Sequence, residues 1–197
     1  MDERRILLIQ GHPDGSRPHL NHALADAYAE GARGAGHPLR RVDVAALDFP
    51  LLASQHEWEH GSLPPALAAA QRDIGWAEHV VLFFPLWLGD MPARLKGFLE
   101  QVARPGFAFS YAAQGGAFTR QGLAGRSARV VVTMGMPAPV YRWYFGAHRV
   151  KSLERNILRF VGFAPVQRTL IGMAGQIDAA AAGRHCARMR KLGARAD

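Results

Sequence analysis

The chain has 197 residues, 49 % of them hydrophobic, enough to bury a substantial core within a single expected domain spanning 1–197. Its net charge of +8 is uneven: residues 1–100 balance to −4 and residues 101–197 to +12, with no carboxylate at 101–153. A lone cysteine, Cys186, excludes an internal disulfide, and no apolar run reaches the roughly 20 residues a membrane helix needs.

The charged start MDERR at 1–5 does not read as a signal peptide, so a reducing cytoplasm is the expected location. A basic half suggests an anionic partner. Nucleic acid is not expected, because no helix-turn-helix, zinc-finger or RNA-binding signature accompanies the charge.

Residues 4–10 carry the apolar run ILLI and read as a buried strand. A loop dense in turn residues follows at 11–19. A helix is predicted from Leu20, with Ala23, Leu24, Ala27 and Tyr28 on its apolar face, ending by 34–36. A second strand is predicted at 38–46, an irregular stretch at 48–64, and a helix at 65–76. The run HVVLFF at 79–84 is a buried strand ended by Pro85, which has no N–H for a sheet ladder. A short apolar turn leads to Pro92, where a helix begins with Leu95, Phe98, Leu99 and Val102 on one face.

A long connection at 105–126 precedes a strand at 128–133, a turn at 136–139 and a long helix at 141–161. A last strand at 167–173 and a closing helix at 179–192 complete the chain. Strands alternating with helices imply parallel pairing through right-handed crossovers. Five such strands suit a three-layer α/β sandwich of flavodoxin-like type, its five-stranded parallel sheet ordered 2-1-3-4-5. In open sheets of this kind, ligands bind at the carboxyl ends of the strands.

Three loops converge on that edge. The first, at 12–21, has neither the GxGxxG nor the GxxxxGK[ST] pattern, but it offers Ser16, Arg17, His19, Asn21 and helix-start amides to an anion. Plain helix capping explains the same residues. The second, at 85–89, presents Trp87, which suits a flat heteroaromatic ring or simple packing. The third brings Thr133, Gly135 and Tyr141 to the same edge.

Nine histidines raise the question of metal. HEWEH at 56–60 formally matches HExxH, but that motif needs a helix and a third ligand, and no helix is predicted there. His19 and His22 read as cap and surface residues, Cys186 as buried packing. No metal is expected.

The segments GHPD…N at 11–21, FPLW…MPARLKGF at 84–98, FAFSYAA at 107–113 and TMG…Y at 133–141 resemble the flavodoxin-fold NAD(P)H:quinone reductases. That family includes mammalian quinone reductase, bacterial drug-activity modulators and ancillary subunits of potassium efflux systems. The matches cover about 130 residues in the family's order and spacing. The resemblance implies a bound flavin, FMN or FAD, reduced by NAD(P)H and reoxidised by a quinone in ping-pong order.

It further implies that His12, Ser16, Arg17 and Asn21 hold the flavin phosphate and ribityl chain. Pro85, Leu86, Trp87 and Leu88 would lie along the ring, partly through backbone amides, and Thr133, Gly135 and Tyr141 would bond its pyrimidine side. Phe109 and Tyr111 would come from the partner of a homodimer and roof the substrate slot beside Trp87. Tyr141 and His148 would be the catalytic donors, His148 standing one residue farther along than the family pattern. Arg142 and Arg149, within the acid-free stretch, would favour an anionic dinucleotide. Met134 and Met136 stand where the family often has threonine and glycine, and Leu88 replaces a common aromatic. Because the family also holds regulatory subunits, a membrane potassium-efflux transporter is an alternative partner. A flavodoxin-like electron carrier is a third reading, set back by the basic charge where such carriers present an acidic face.

Overall fold

The computed structural model describes residues 3–111 and 120–197. The last two residues of the FAFSYAA segment, Ala112 and Ala113, therefore lie outside the described residues.

The elements follow the expected alternation. β1 (Ile6–Gln10) leads through the first loop to α1 (Leu20–Gly34), and β2 (Leu39–Asp43) follows. α2 (Gln55–His60) and α3 (Ala68–Trp76) precede β3 (His79–Pro85) and α4 (Ala93–Val102). A small two-stranded antiparallel sheet pairs β4 (Phe109–Ser110) with β5 (Arg120–Gln121). Next come β6 (Ser127–Thr133), α5 (Ala138–Trp143) and α6 (His148–Ser152). A π-helical stretch (Leu153–Leu158) runs into α7 (Arg159–Val161), and β7 (Val166–Ile171) and α8 (Ala179–Ala194) close the chain.

The main sheet is parallel and ordered β2-β1-β3-β6-β7. That is the 2-1-3-4-5 arrangement expected once β4 and β5, which form their own small sheet, are left out of the count. β1, β3 and β6 are buried along their whole length because helices cover both faces. Leu7, Ile9, Val80, Leu82, Phe84, Val130 and Val132 point to the face packed by α3, α4 and the α5–α7 segment. Ile6, Leu8, Val81, Phe83 and Val131 point to the opposite face, against α1 and α8. The alternation follows from the two-residue period of a strand.

Three expectations are corrected. Residues 48–64 are not wholly irregular: α2 forms there because the Ser54 hydroxyl accepts the Glu57 N–H at 3.1 Å, while the Glu57 carboxylate accepts the Ala53 N–H at 3.0 Å. Ser54-x-x-Glu57 is a capping-box pattern, legible without apolar periodicity. The long helix at 141–161 is broken, because Gly146 and Ala147 adopt left-handed φ values of 61° and 50° that stop α5 and restart the chain as α6. Cys186 is only partly buried, packed against α1.

Candidate functional site at the carboxyl edge of the sheet

β1, β3 and β6 are neighbours in the sheet and end at Gln10, Pro85 and Thr133, so the loops that follow them start side by side. Pro85 is the last rung of β3, opposite Thr133, whose carbonyl accepts the Leu86 N–H at 2.7 Å.

The first loop is wired from beneath by Gln10. Its Oε1 accepts the His12 N–H at 3.0 Å and its Nε2 donates to the Asn21 carbonyl at 3.3 Å. His12 is buried, and its Nδ1 accepts the Asp14 N–H at 3.1 Å. The His12 ring stacks on His19 at 3.9 Å, lies 5.2 Å from His22 and meets Trp87 edge-on at 5.9 Å. Burial, and then the neighbouring His19 and His22, push the His12 pKa down to about 4; burial, His19 and Arg41 lower that of His22. Both are neutral at pH 7. His19 is thus part of an imidazole cluster as well as the cap of α1.

Both oxygens of the Asp14 carboxylate are taken by this loop. Oδ1 accepts the Ser16 N–H at 2.9 Å and the Ser16 hydroxyl at 2.5 Å; Oδ2 accepts Arg17 Nε at 3.2 Å and His19 Nε2 at 2.9 Å. The Ser16 hydroxyl, with His19 and the Ser16 amide, holds the Asp14 carboxyl well below the ordinary range. Asp14 is a residue that motif reasoning missed. Its signal was the Asx-turn pattern Asp14-x-Ser16. Beside these groups lies a cleft of about 690 Å³ lined by His12, Ser16, Arg17, His22, Arg41 and Asp43, among others.

The second loop is a tight turn. Trp87 and Asp90 exchange N–H···O bonds of 2.8 and 2.9 Å, with Leu88 (φ 46°) and Gly89 (φ 81°) both left-handed between them. This geometry holds Trp87 half-exposed and turns Leu88 fully outward. The Leu86 and Trp87 amides are engaged within the protein, which leaves the Trp87 ring as the main surface this loop offers.

In the third loop, the Thr133 hydroxyl accepts Asn21 Nδ2 at 3.4 Å, while Asn21 Oδ1 is buried without a hydrogen-bond partner among the described residues. A Cβ on Gly135 would meet open space. The Tyr141 hydroxyl is likewise buried and meets no hydrogen-bond partner among the described residues; burial raises its pKa and the Asp90 charge adds to this, against a lowering by the nearby Val150 amide. His148 starts α6, exposed, with its ring folded so closely over Gly146 that a Cβ there would lie 2.6 Å from Nε2. Arg142 and Arg149 are exposed, and Arg149 lies 3.8 Å from Asp90.

Phe109 belongs to another cluster. Its ring contacts Trp58, Tyr111 and Phe160 and lines a separate apolar cleft of about 530 Å³. The structure therefore brings together His12, Ser16, Arg17, Asn21, Trp87 and Thr133, and places Phe109 and Tyr111 apart from them. His56 and His60 do share one turn of α2, ring centroids 4.9 Å apart. Among the described residues, no group of three His, Cys, Asp or Glu is arranged to hold a metal ion, and no helix is long and apolar enough to cross a membrane.

A family model described as a flavodoxin-like fold matches residues 4–192. An FMN-dependent NADH:quinone oxidoreductase of Nitratidesulfovibrio vulgaris (strain DP4) is 30 % identical over 197 residues, covering 91 % of this chain and 92 % of that one. NAD(P)H dehydrogenase (quinone) 1 of Rattus norvegicus is 26 % identical over 200 residues, covering 89 % and 71 %. The solved structure of an NAD(P)H:quinone oxidoreductase from Methanothermobacter marburgensis aligns with a TM-score of 0.81 at 26 % identity, covering 98 % of this chain and 97 % of that one.

Proposed function

The chain belongs to the flavodoxin-like fold family that contains the NAD(P)H:quinone oxidoreductases, and on that premise we propose that it is a flavin-dependent oxidoreductase transferring electrons from NAD(P)H to quinones. The observation that carries the reading is the junction of the first two loops. There, anion-binding groups (His12, Ser16, Arg17) stand beside the half-exposed indole of Trp87, with His12 and Trp87 in edge contact at 5.9 Å. A flavin nucleotide joins the same two chemistries, an anionic phosphate and a flat ring.

The unpaired polar atoms fit such a ligand as well. Asn21 Oδ1 and the Tyr141 hydroxyl are buried and unpartnered at this edge, which is costly unless something bonds them. His12, Ser16, Arg17 and Asn21 hold the phosphate and ribityl chain. Pro85, Leu86, Trp87 and Leu88 line the ring, and Thr133, Gly135 and Tyr141 face its pyrimidine side. FMN is the cofactor named for the N. vulgaris relative, and FAD is the alternative.

When bound, the flavin supplies two-electron hydride chemistry, alternating between NAD(P)H and the acceptor in ping-pong order. Trp87 offers one apolar wall to whichever partner occupies the slot. The Tyr141 hydroxyl, kept protonated by its raised pKa, and the His148 imidazole place donors where negative charge develops. Arg142 and Arg149 attract the dinucleotide phosphates. Tyr111, exposed on its own chain, roofs the slot of the partner subunit, with the buried Phe109 packed behind it rather than lining the slot as expected, so the working form is a homodimer. A single domain in a cytoplasmic setting completes the proposal.

The test is an absorption spectrum of the flavin-supplemented protein before and after anaerobic NADPH or NADH. Oxidised-flavin bands that bleach, then return on adding a quinone, are expected. A flavin that binds but stays oxidised with both nicotinamides would transfer the protein to the transporter-subunit or electron-carrier reading. Absence of any bound flavin would overturn all three.

A further inference from the structure

The groups assigned to the flavin phosphate are not idle. Ser16 N–H, Ser16 Oγ and Arg17 Nε all point at one carboxylate, and His19 Nε2 joins them from the start of α1. Four donors converging on two oxygens is how proteins hold a phosphate or sulfate. Here the acceptor is the side chain of Asp14, from the same loop.

We propose that Asp14 is a built-in competitor for the phosphate: it occupies the loop's anion-binding donors, and a phosphomonoester must displace it or bind against its charge. The inference rests on the flavin reading for the identity of the natural ligand, but not for the competition itself.

Both routes carry a cost that the ligand must meet. Displacement breaks charge-assisted bonds to Ser16, Arg17 and His19. Binding alongside places a dianion within a few ångströms of a carboxylate, and like charges at that range repel even near a surface. Acidification gives no relief, since the bonds to Ser16 and His19 keep Asp14 ionised far below neutral pH. The other charges facing the loop come from α1 and β2: Asp26 and Asp43 share Arg41, and His22 is neutral at pH 7. Arg17 and His19 are thus the cationic or proton-donating groups that Asp14 controls directly.

Tethering makes the competitor effective, because an internal carboxylate sits at a local concentration that free anions do not reach. The site then favours ligands that bring a second anchor. A flavin nucleotide has its ring on Trp87, whereas inorganic anions have none. The loop would remain closed to cellular phosphate and open to the cofactor.

Three variants decide the matter. Asp14→Asn keeps the size and some of the acceptor bonds but removes the charge; Asp14→Glu keeps the charge. Dissociation constants are measured by flavin fluorescence quenching for FMN and for riboflavin, which lacks the phosphate. Asp14→Asn is expected to bind FMN about tenfold more tightly than the parent, a gain of about 1.4 kcal/mol by the conversion of affinity to free energy. Riboflavin binding should be unchanged, and Asp14→Glu should stay near the parent for both. His19→Asn, which removes one of the two bonds to Asp14 Oδ2 without touching the Asp14 charge, should not tighten FMN.

Sulfate supplies an arm that needs no flavin. At constant ionic strength, the sulfate concentration giving half of its melting-temperature increase should fall about tenfold in Asp14→Asn. If FMN or sulfate binds Asp14→Asn no better than the parent, or if riboflavin tightens equally, the competition does not exist and Asp14 only shapes the loop. If no variant binds flavin while the sulfate arm behaves as expected, the flavin reading fails and the role of Asp14 stands.

Discussion

His79 shows how much chemistry one buried side chain can carry at the edge of the sheet opposite the candidate site. It opens β3, is 2 % exposed, and has Nδ1 2.7 Å from the Ser127 hydroxyl with Nε2 unpartnered. Burial first, then Arg4 and Arg129, push its pKa down to about 3. The folded value lies below the unfolded one of about 6.5, so on acidification the unfolded chain takes the proton first. Stability from neutral His79 is therefore full above about pH 6.5 and is lost progressively toward pH 3. His12 acts in the same direction with its own value of about 4. Urea unfolding should show stability falling by a few kcal/mol, an order-of-magnitude figure, between pH 7 and pH 4. His79→Asn should flatten that slope; an unchanged slope would remove His79 as its source. None of this could be read in the sequence, because Ser127 and Arg129 come from β6 and Arg4 from the segment before β1. The same holds in the candidate site. Ser16, Arg17, Asn21 and Trp87 declared themselves by residue type and by position after a strand. Asp14 did not, since its role depends on how a nine-residue loop folds back on itself.

At the scale of elements, strands and amphipathic helices were legible wherever burial imposed a period. β3 and β6 stand within a residue of their predicted bounds and β1 within two, and α1 starts at the predicted residue. The failures came where local bonding outweighed pattern. α2 is capped rather than amphipathic, and two left-handed residues at 146–147 divide a helix whose apolar period continues across the break. Helix packing was also hidden. Gly31 of α1 and Gly193 of α8 let the two backbones touch: a Cβ on Gly31 would lie 2.0 Å from the Arg190 carbonyl oxygen, and one on Gly193 2.1 Å from that of Tyr28. Neither contact can be relieved by a side-chain rotation. Gly31→Ala should cost about 1–3 kcal/mol, typical of overpacking, despite alanine's better helix propensity. Gly34→Ala, three residues on and facing open space, should be neutral or stabilise by up to about 1 kcal/mol. Thermal unfolding of the two variants side by side reads the contrast. Equal effects would mean that α1 and α8 separate easily.

For the whole molecule, the outstanding feature is exposed apolar surface. Trp87 and Leu88 in the ring loop, Trp143, Tyr144 and Phe145 at the α5–α6 corner, and Tyr111 beside β4 are all exposed large apolar side chains. Surface of that kind marks a place of association, and the homodimer proposed above would cover it. The decisive question is whether each site takes residues from both chains. In a twofold dimer, a site combining His148 of one subunit with Tyr111 of the other can be rebuilt from two defective chains. His148→Ala and Tyr111→Ala should each lower kcat when made alone. Co-expressed in equal amounts, half of the dimers are mixed, and each mixed dimer holds one site with both residues intact. Quinone reductase activity should then recover to about a quarter of the parent's, a fraction set by random pairing under twofold symmetry. Recovery requires that the two residues reach one site from different chains, because a site built within one chain stays defective in every combination. Activity no higher than the mean of the two variants would leave Tyr111 to its contact with Phe109 in its own subunit and return the roof of the slot to other residues.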